Sequence, residues 1–395
     1  TIMELSQRLE QILGGFRPVF SREASFRWFV LLVWGILLNT QPAAVTSYVN
    51  ALGLGEAVYQ QALYWFESSA FSVKGLCQHW GQWLSQHRCV YRIKGERVYV
   101  ADGIKVAKEG RKMPGVKRLH QESEDVSKPQ WIRGHYFNGL SILLSAGGTC
   151  FAVPLILRLQ DGLMAQSPSV TPKRKGKKAT LVTKMADLCT SYANTGSYVV
   201  LDSYFACAPV LKRFRRHCLH LISRVRCSTV AHAPFSVVPI STDLTLSGAE
   251  KIAAYGLRFK IEVTFRTLVH LLGGFAYRFW LKAMTMAPTW PSNLNLADYP
   301  PSLQAQILAK VEAFERFLNL NAMALGLLQI LALECPCQVW SHFPRWFRTL
   351  PKHGYPSERI AQLALQHHVE EIFLKSPSSL LLPKFIANKL DSSTP

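Results

Sequence analysis

In the stretch SYVVLDSYFA, residues 197–206, four apolar residues run straight into an acid, Asp202. That is the pattern of a short buried strand ending on a carboxylate. A helical pattern follows in APVLKRFRRH, and then a second strand pattern, LHLISRV. Upstream, β-type segments stand at 97–101 (RVYVA), 132–145 (IRGHYFNGLSILLS) and 149–159 (TCFAVPLILRL). The last two are separated by AGG, a hairpin-turn signal. A helix is predicted at about 180–194, just before SYVVL.

Three strands, a helix, a strand, a helix and a strand is the element order of an RNase H-like fold, an α/β class with a mixed sheet flanked by helices. Helical periodicity dominates on both sides of it. Residues 1–90 are predicted as a helical DNA-binding or dimerisation region, 91–285 as the RNase H-like domain and 286–395 as a helical C-terminal region, entered through the Pro-rich connector MAPTWPSNLNLADYPPS. The apolar run WFVLLVWGILL, 28–38, spans eleven residues. A membrane-spanning helix needs roughly 20, so a buried core helix is expected and no membrane partner. The run also begins too far into the chain, with no small-residue cleavage pattern after it, for a secretory signal.

Lys and Arg total 45 against 25 Asp and Glu, a formal charge of +20. Such an excess attracts polyanions, nucleic acid first among them, and nearly half the residues being hydrophobic excludes disorder throughout. Nine scattered cysteines, the closest pair being CPC at 335–337, complete no zinc set and are expected as reduced thiols in the cytoplasm.

Asp102 follows RVYVA as Asp202 follows SYVVL, so each of two strands is expected to deliver an acid at its C-terminal end. Taken singly, either reads as a turn or cap residue. Taken together on strands about 4.8 Å apart, they suit a shared divalent metal. A third acid, Glu262, lies in SGAEKIAAYGLRFKIEVTFRTLVHLLGG, 247–274, predicted as one long helix. Ser247 and Glu250 form its capping box and Gly273-Gly274 its stop. Leu257, Ile261, Phe265, Leu268 and Leu272 make an apolar stripe. Tyr255, Arg258 and Glu262 share another face, where Arg258 and Glu262 are also an ordinary i,i+4 ion pair.

These residues carry a resemblance. YGLRFKIE is similar to the Tyr-x2-Arg-x3-Glu-x6-Lys signature of bacterial insertion-sequence transposases of the DDE type, with Val269 at the Lys position. VYVADG and VVLDSYF resemble the segments bearing the first and second Asp of that family, and the likeness spans most of residues 20–290. It implies a DNA transposase in which Asp102, Asp202 and Glu262 hold two Mg²⁺ or Mn²⁺ ions per site. Those ions would serve cleavage of transposon-end DNA and transfer of its 3′-hydroxyl to target DNA. It further implies that Tyr255 and Arg258 hold DNA and that the protein works as a homodimer or larger synaptic complex; Arg266 or Lys260 is a candidate to replace the missing Lys, against the plainer reading of each as part of a solvated helix face. Such relatives usually carry a β-rich insertion between the second and third acids, and the 60 positions here leave little room for one, which puts hairpin-type processing in doubt.

Two basic runs complete the candidate DNA surface: Lys105, Lys108, Arg111, Lys112 and Lys117 in the loop after Asp102, and Lys173, Arg174, Lys175, Lys177 and Lys178 in TPKRKGKK. Such contacts give affinity and register, not sequence choice. Two other readings stay open: a transposase-derived DNA-binding protein that no longer cuts, and an RNase H-like nuclease without strand transfer.

Overall fold

A computed structural model describes residues 2–121, 129–164, 180–225, 238–344, 354–374 and 380–391. Five helices come first, α1 Ile2–Gly14, α2 Glu23–Leu38, α3 Val45–Ala51, α4 Tyr59–Trp65 and α5 Val73–Ser85. Strands β1 Arg92–Ile93, β2 Glu96–Ala107, β3 Lys117–His120, β4 Trp131–Ala146, β5 Thr149–Leu159 and β6 Leu163–Met164 follow. The chain then alternates: α6 Leu181–Tyr192, β7 Tyr198–Val200, α7 Ala208–Arg216, β8 His220–Arg224, β9 Pro239–Ser241. Helices α8 Gly248–Gly256 and α9 Phe259–His270, strand β10 Leu294–Asn295 and helices α10 Pro301–Glu334, α11 Pro336–His342, α12 Glu358–His367, α13 Val369–Leu374 and α14 Leu381–Asp391 complete it.

The main sheet runs β3-β4-β2-β7-β8-β9, with β5 on the same side of β4 as β3. β2, β4 and β5 are antiparallel neighbours, while β7 and β8 run parallel to β2. The hairpin between β4 and β5 turns on Gly147 and Gly148, both at positive φ (52° and 82°), as a two-residue primed turn requires. β5 has no strand beyond it over Leu157–Leu159. There α10 supplies the missing partners: the Asn319 side chain accepts from Leu157 N–H and donates to Leu157 C=O, both at 2.8 Å, and Glu315 accepts from Leu159 N–H at 2.9 Å. Helix side chains thus satisfy an edge that would otherwise invite another strand.

The run at 28–38 is the body of α2, whose Trp28–Leu38 side chains are all buried. It packs on α3, α10, α12 and α14. Among the described residues one helix, α10, is long and apolar enough to cross a membrane, and 94% of its most apolar window is buried inside the protein. The larger of two apolar cores among the described residues links α1, α2, α5, the sheet, α9 and α10.

At the C-terminal end of α10, Glu334 accepts from Arg8 Nε and Nη2 at 2.7 and 2.9 Å and pairs with His87 Nε2 at 3.0 Å. Burial opposes its ionisation, but His87 and Arg8 outweigh that and hold the carboxyl down at about 2. A depressed carboxylate stabilises the fold above its unfolded value of about 4.5 and loses that contribution as pH falls toward 2. Glu334→Gln is therefore expected to cost on the order of 2–3 kcal/mol at pH 7 in urea unfolding, with the deficit shrinking steadily below pH 4.5.

Two expectations about the elements need correction. The segment 247–274 is not one helix. The capping box of Ser247 and Glu250 is present, but α8 ends at Gly256 and α9 starts at Phe259. Between them Arg258, Lys260 and Ile261 donate to carbonyls three residues back, so the chain tightens at a weak helix former and restarts. β2 also does not end at Asp102. Its parallel partner β7 stops at Val200, opposite Val100, but its antiparallel partner β4 continues pairing as far as Ala107. Asp102 is thus a mid-strand residue whose β7 side has just opened.

Candidate active site

The parallel register of Val100 with Val200 sets Asp102 and Asp202 each two residues beyond the last paired position of neighbouring strands. Past Val200 the chain leaves the sheet, and Asp202 begins a 3₁₀ turn, Ser203–Phe205. An opening between parallel strands beyond their carboxyl ends is where open α/β sheets bind ligands. Asp102 pairs with Gly139 of β4, so both face the same side of the sheet, the side covered by α9.

Helices α8 and α9 close this opening with three side chains. Arg258, at the head of α9, donates from Nη1 to Asp102 Oδ2 at 2.8 Å and from Nη2 to Glu262 Oε1 at 2.5 Å. Tyr255, at the end of α8, donates its hydroxyl to Asp202 Oδ1 at 3.3 Å. On either side of the break after Gly256, neighbouring residues serve different acids: Tyr255 reaches Asp202 just past β7, and Arg258 reaches Asp102 on β2. A further cation lies at the end of β8, where Arg224 Nε approaches Asp202 Oδ1 at 3.6 Å. The sequence reading missed Arg224. The available signal was its place at the end of a parallel strand, in ISRV.

Burial raises the Asp102 carboxyl to about 6. Arg258 and the Gly103 N–H, 2.8 Å from Oδ1, pull it down, while the Glu262 and Asp202 charges push it further up. The three acids therefore share one electrostatic neighbourhood. Arg258 is an ion-pair partner of two of them. Among the described residues, no three His, Cys, Asp or Glu side chains are grouped closely enough to hold a metal ion as arranged.

The candidate DNA contacts divide. Arg266 is exposed on α9, one turn beyond Glu262, and Val269, at the signature's Lys position, is exposed further along. Arg111 is exposed, its Nε donating to Ala287 C=O at 2.9 Å. Lys112 donates to Lys282 C=O, Lys105 to His120 C=O, and Lys117 pairs with Asp161 at 2.8 Å. Lys108 is turned inward and buried, unlike the surface cation the loop sequence suggested. Its ammonium meets the carbonyls of Phe275 and Tyr277 and lies 3.6 Å from the centre of the Tyr277 ring. Burial, with Arg278 nearby, lowers it to about 7. Lys173, Arg174, Lys175, Lys177 and Lys178 lie outside the described residues.

No family model matches this chain, and no curated protein matches it. Six chains of solved structures do. One is a piggyBac transposase in a synaptic complex with hairpin DNA, with a TM-score of 0.40, 10% identity and coverage of 95% of this chain and 74% of that one.

Proposed function

We propose that this protein is a DNA transposase of the DDE class, cleaving transposon-end DNA and joining the freed 3′-hydroxyl to target DNA. The observation that carries the proposal is that Arg258 bonds both Asp102 of β2 and Glu262 of α9, while Tyr255, three residues before it, bonds Asp202 just past the parallel strand β7. The strand order β5-β4-β2-β7-β8, antiparallel on one side and parallel on the other, supports an RNase H-like catalytic domain. The charge of +20 suits a DNA partner.

The acids fit a divalent cation by chemistry: all donors are carboxylate oxygens, hard ligands suited to Mg²⁺ or Mn²⁺. Two of them already share one cation, the Arg258 guanidinium. Asp102, Asp202 and Glu262 would hold the metal, which when bound activates an attacking oxygen and stabilises the leaving one. In the free protein Arg258 offsets repulsion among the acids. Its planar fork also matches phosphate, so with DNA in place it can exchange carboxylate for phosphate contact. Tyr255 and Arg224 hold Asp202 toward the opening. Arg266, exposed beside Glu262, is placed for a flanking phosphate. A homodimer or larger synaptic complex is part of the same proposal, because two element ends must be handled together.

One observation favours a non-cleaving descendant: Arg258 already neutralises two of the three acids. Parent protein and Glu262→Gln, each incubated with Mg²⁺ or Mn²⁺, labelled duplex from the DNA flanking the gene and a target plasmid, separate the readings. Metal-dependent cleaved and joined products lost in Glu262→Gln support a transposase. Cleavage without joining indicates a nuclease, binding without cleavage the descendant, and cleavage surviving in the variant refutes the acid assignment.

The DNA contacts give a second expectation. Arg266→Gln should weaken duplex binding and reduce the salt slope by about one phosphate contact. Lys108→Met, whose ammonium is buried, should leave that slope unchanged. Fluorescence anisotropy across a salt series measures both.

A further inference from the structure

On the same face of the sheet as Asp102, the structure builds a second feature that the acids do not use. Asp102 pairs with Gly139, and without a register shift Ile104, Val106, Arg118 and His120 pair with Phe137, His135, Arg133 and Trp131. All of these side chains therefore point to one side. At the far end the Arg118 guanidinium lies 3.9 Å from the centre of Trp131 and 5.4 Å from that of Trp290. His120 meets Trp131 edge-on at 4.7 Å. Trp290 and Trp280 are 51% and 62% exposed.

The segment carrying these tryptophans is fastened to the loop after β2. Arg111 and Ala287 exchange hydrogen bonds, Leu281 N–H donates to Lys112 C=O, and Arg118 N–H donates to Pro291 C=O. The two pieces make one basic surface. Residues 105–118 hold six cations and one acid, Glu109, and residues 278–293 hold two cations and no acid. Large exposed aromatics interleaved with cations on a rigid edge are the makings of a stacking surface for unpaired bases.

We propose that Trp280 and Trp290, with Arg118 between Trp290 and Trp131, form a platform for unpaired nucleotides of the DNA strand that leads away from the reacting phosphate. At about 3.3 Å per strand residue, the end of β2 lies about 17 Å beyond Asp102 and Trp131 about 27 Å, equal to roughly five to eight steps at the rise of duplex DNA and to fewer nucleotides of an extended unpaired strand. This inference rests on the DNA-processing function proposed above. Stacking accepts any base, so the platform holds a frayed or single-stranded end without selecting its sequence.

The test is fluorescence anisotropy with three probes: a blunt duplex, the same duplex with a ten-nucleotide single-stranded tail, and a single-stranded RNA matching the tail. Trp280→Ala/Trp290→Ala should lose tenfold or more in affinity for the tailed duplex, keep blunt-duplex affinity within twofold and keep the parental salt slope. Trp280→Phe/Trp290→Phe, which retains the rings, should restore most of the loss. Equal binding of the tailed duplex by the Ala variant and the parent overturns the platform. So does tenfold tighter binding of the RNA than of the tailed DNA by the parent, which would assign the surface to RNA. A parent that binds none of the DNA probes would instead refute the DNA-processing function itself, so the two failures are distinguishable. Both tryptophans are exposed, and an unchanged melting curve verifies that the Ala variant is folded.

Discussion

Asp102→Asn is expected to lower metal-dependent DNA cleavage by at least about 10³-fold while making the free protein more stable above neutral pH. The first effect follows from removing a charged donor from a set of three, where positioning and charge neutralisation carry phosphoryl transfer. The second follows from linkage. The Asp102 carboxyl sits at about 6, above its ordinary 3.8, so the folded state holds its proton more tightly than the unfolded chain. The stabilisation this gives is complete below pH 3.8 and is lost as pH rises through 6. A shift of about two units corresponds to roughly 3 kcal/mol, and Asn, which never ionises, escapes that loss. Melting curves at pH 8 should place the variant above the parent, and the gap should close between pH 6 and 4. Added Mg²⁺ should raise the parent's melting temperature more than the variant's. A variant that melts below the parent at pH 8 would mean that the Arg258 ion pair outweighs the burial of the acid.

Gly139→Ala is expected to damage the same site without touching a carboxylate. A Cβ at Gly139, directly across from Asp102, would lie 2.8 Å from two ring atoms of Phe265 on α9. Phe265 is buried and one turn past Glu262, so the helix has to move away from the sheet. Overpacking of this kind costs about 1–3 kcal/mol. A displacement near 1 Å of a reacting group costs on the order of 10²-fold in rate. The expected result is a lower melting temperature together with a cleavage rate down by about 10–100-fold. Adding Phe265→Leu, which vacates the ring edge, should recover part of both. A parental rate in Gly139→Ala would show that the seat of α9 does not set the position of Glu262.

Much of this architecture was legible in the order of residues. The strand at 149–159 and the turn at Gly147-Gly148 follow from a bounded run of apolar residues and from two successive glycines, which take positive φ at no steric cost. The Ser247–Glu250 cap follows from local hydrogen-bond chemistry. Helix α2 is recognisable as core because eleven apolar residues are too few for a bilayer and too many for a surface. Such signals are local, set by residues within a few positions of one another.

Apart from the break at Gly256, which has a local cause, the errors have the opposite property. β2 runs on past Asp102 because β4, some thirty residues later, keeps pairing with it. Lys108 looks like one more cation in a basic loop, and only the fold of residues 275–277 over it turns its ammonium inward. Arg258 was a helix-face ion pair with Glu262 in sequence. The break at Gly256 and the seating of α9 against the sheet make it a bridge to Asp102, 156 residues away. Arg224 and the tryptophans at 131, 280 and 290 carried no spacing signal at all. The sequence alone determined where most helices and strands form and which acids follow apolar runs, because propensity, capping and periodicity act over a few residues. Tertiary structure alone decided which charges meet, which cation is withheld from solvent and which aromatics share a face with Asp102, because strand register and helix seating are settled by packing between distant parts of the chain.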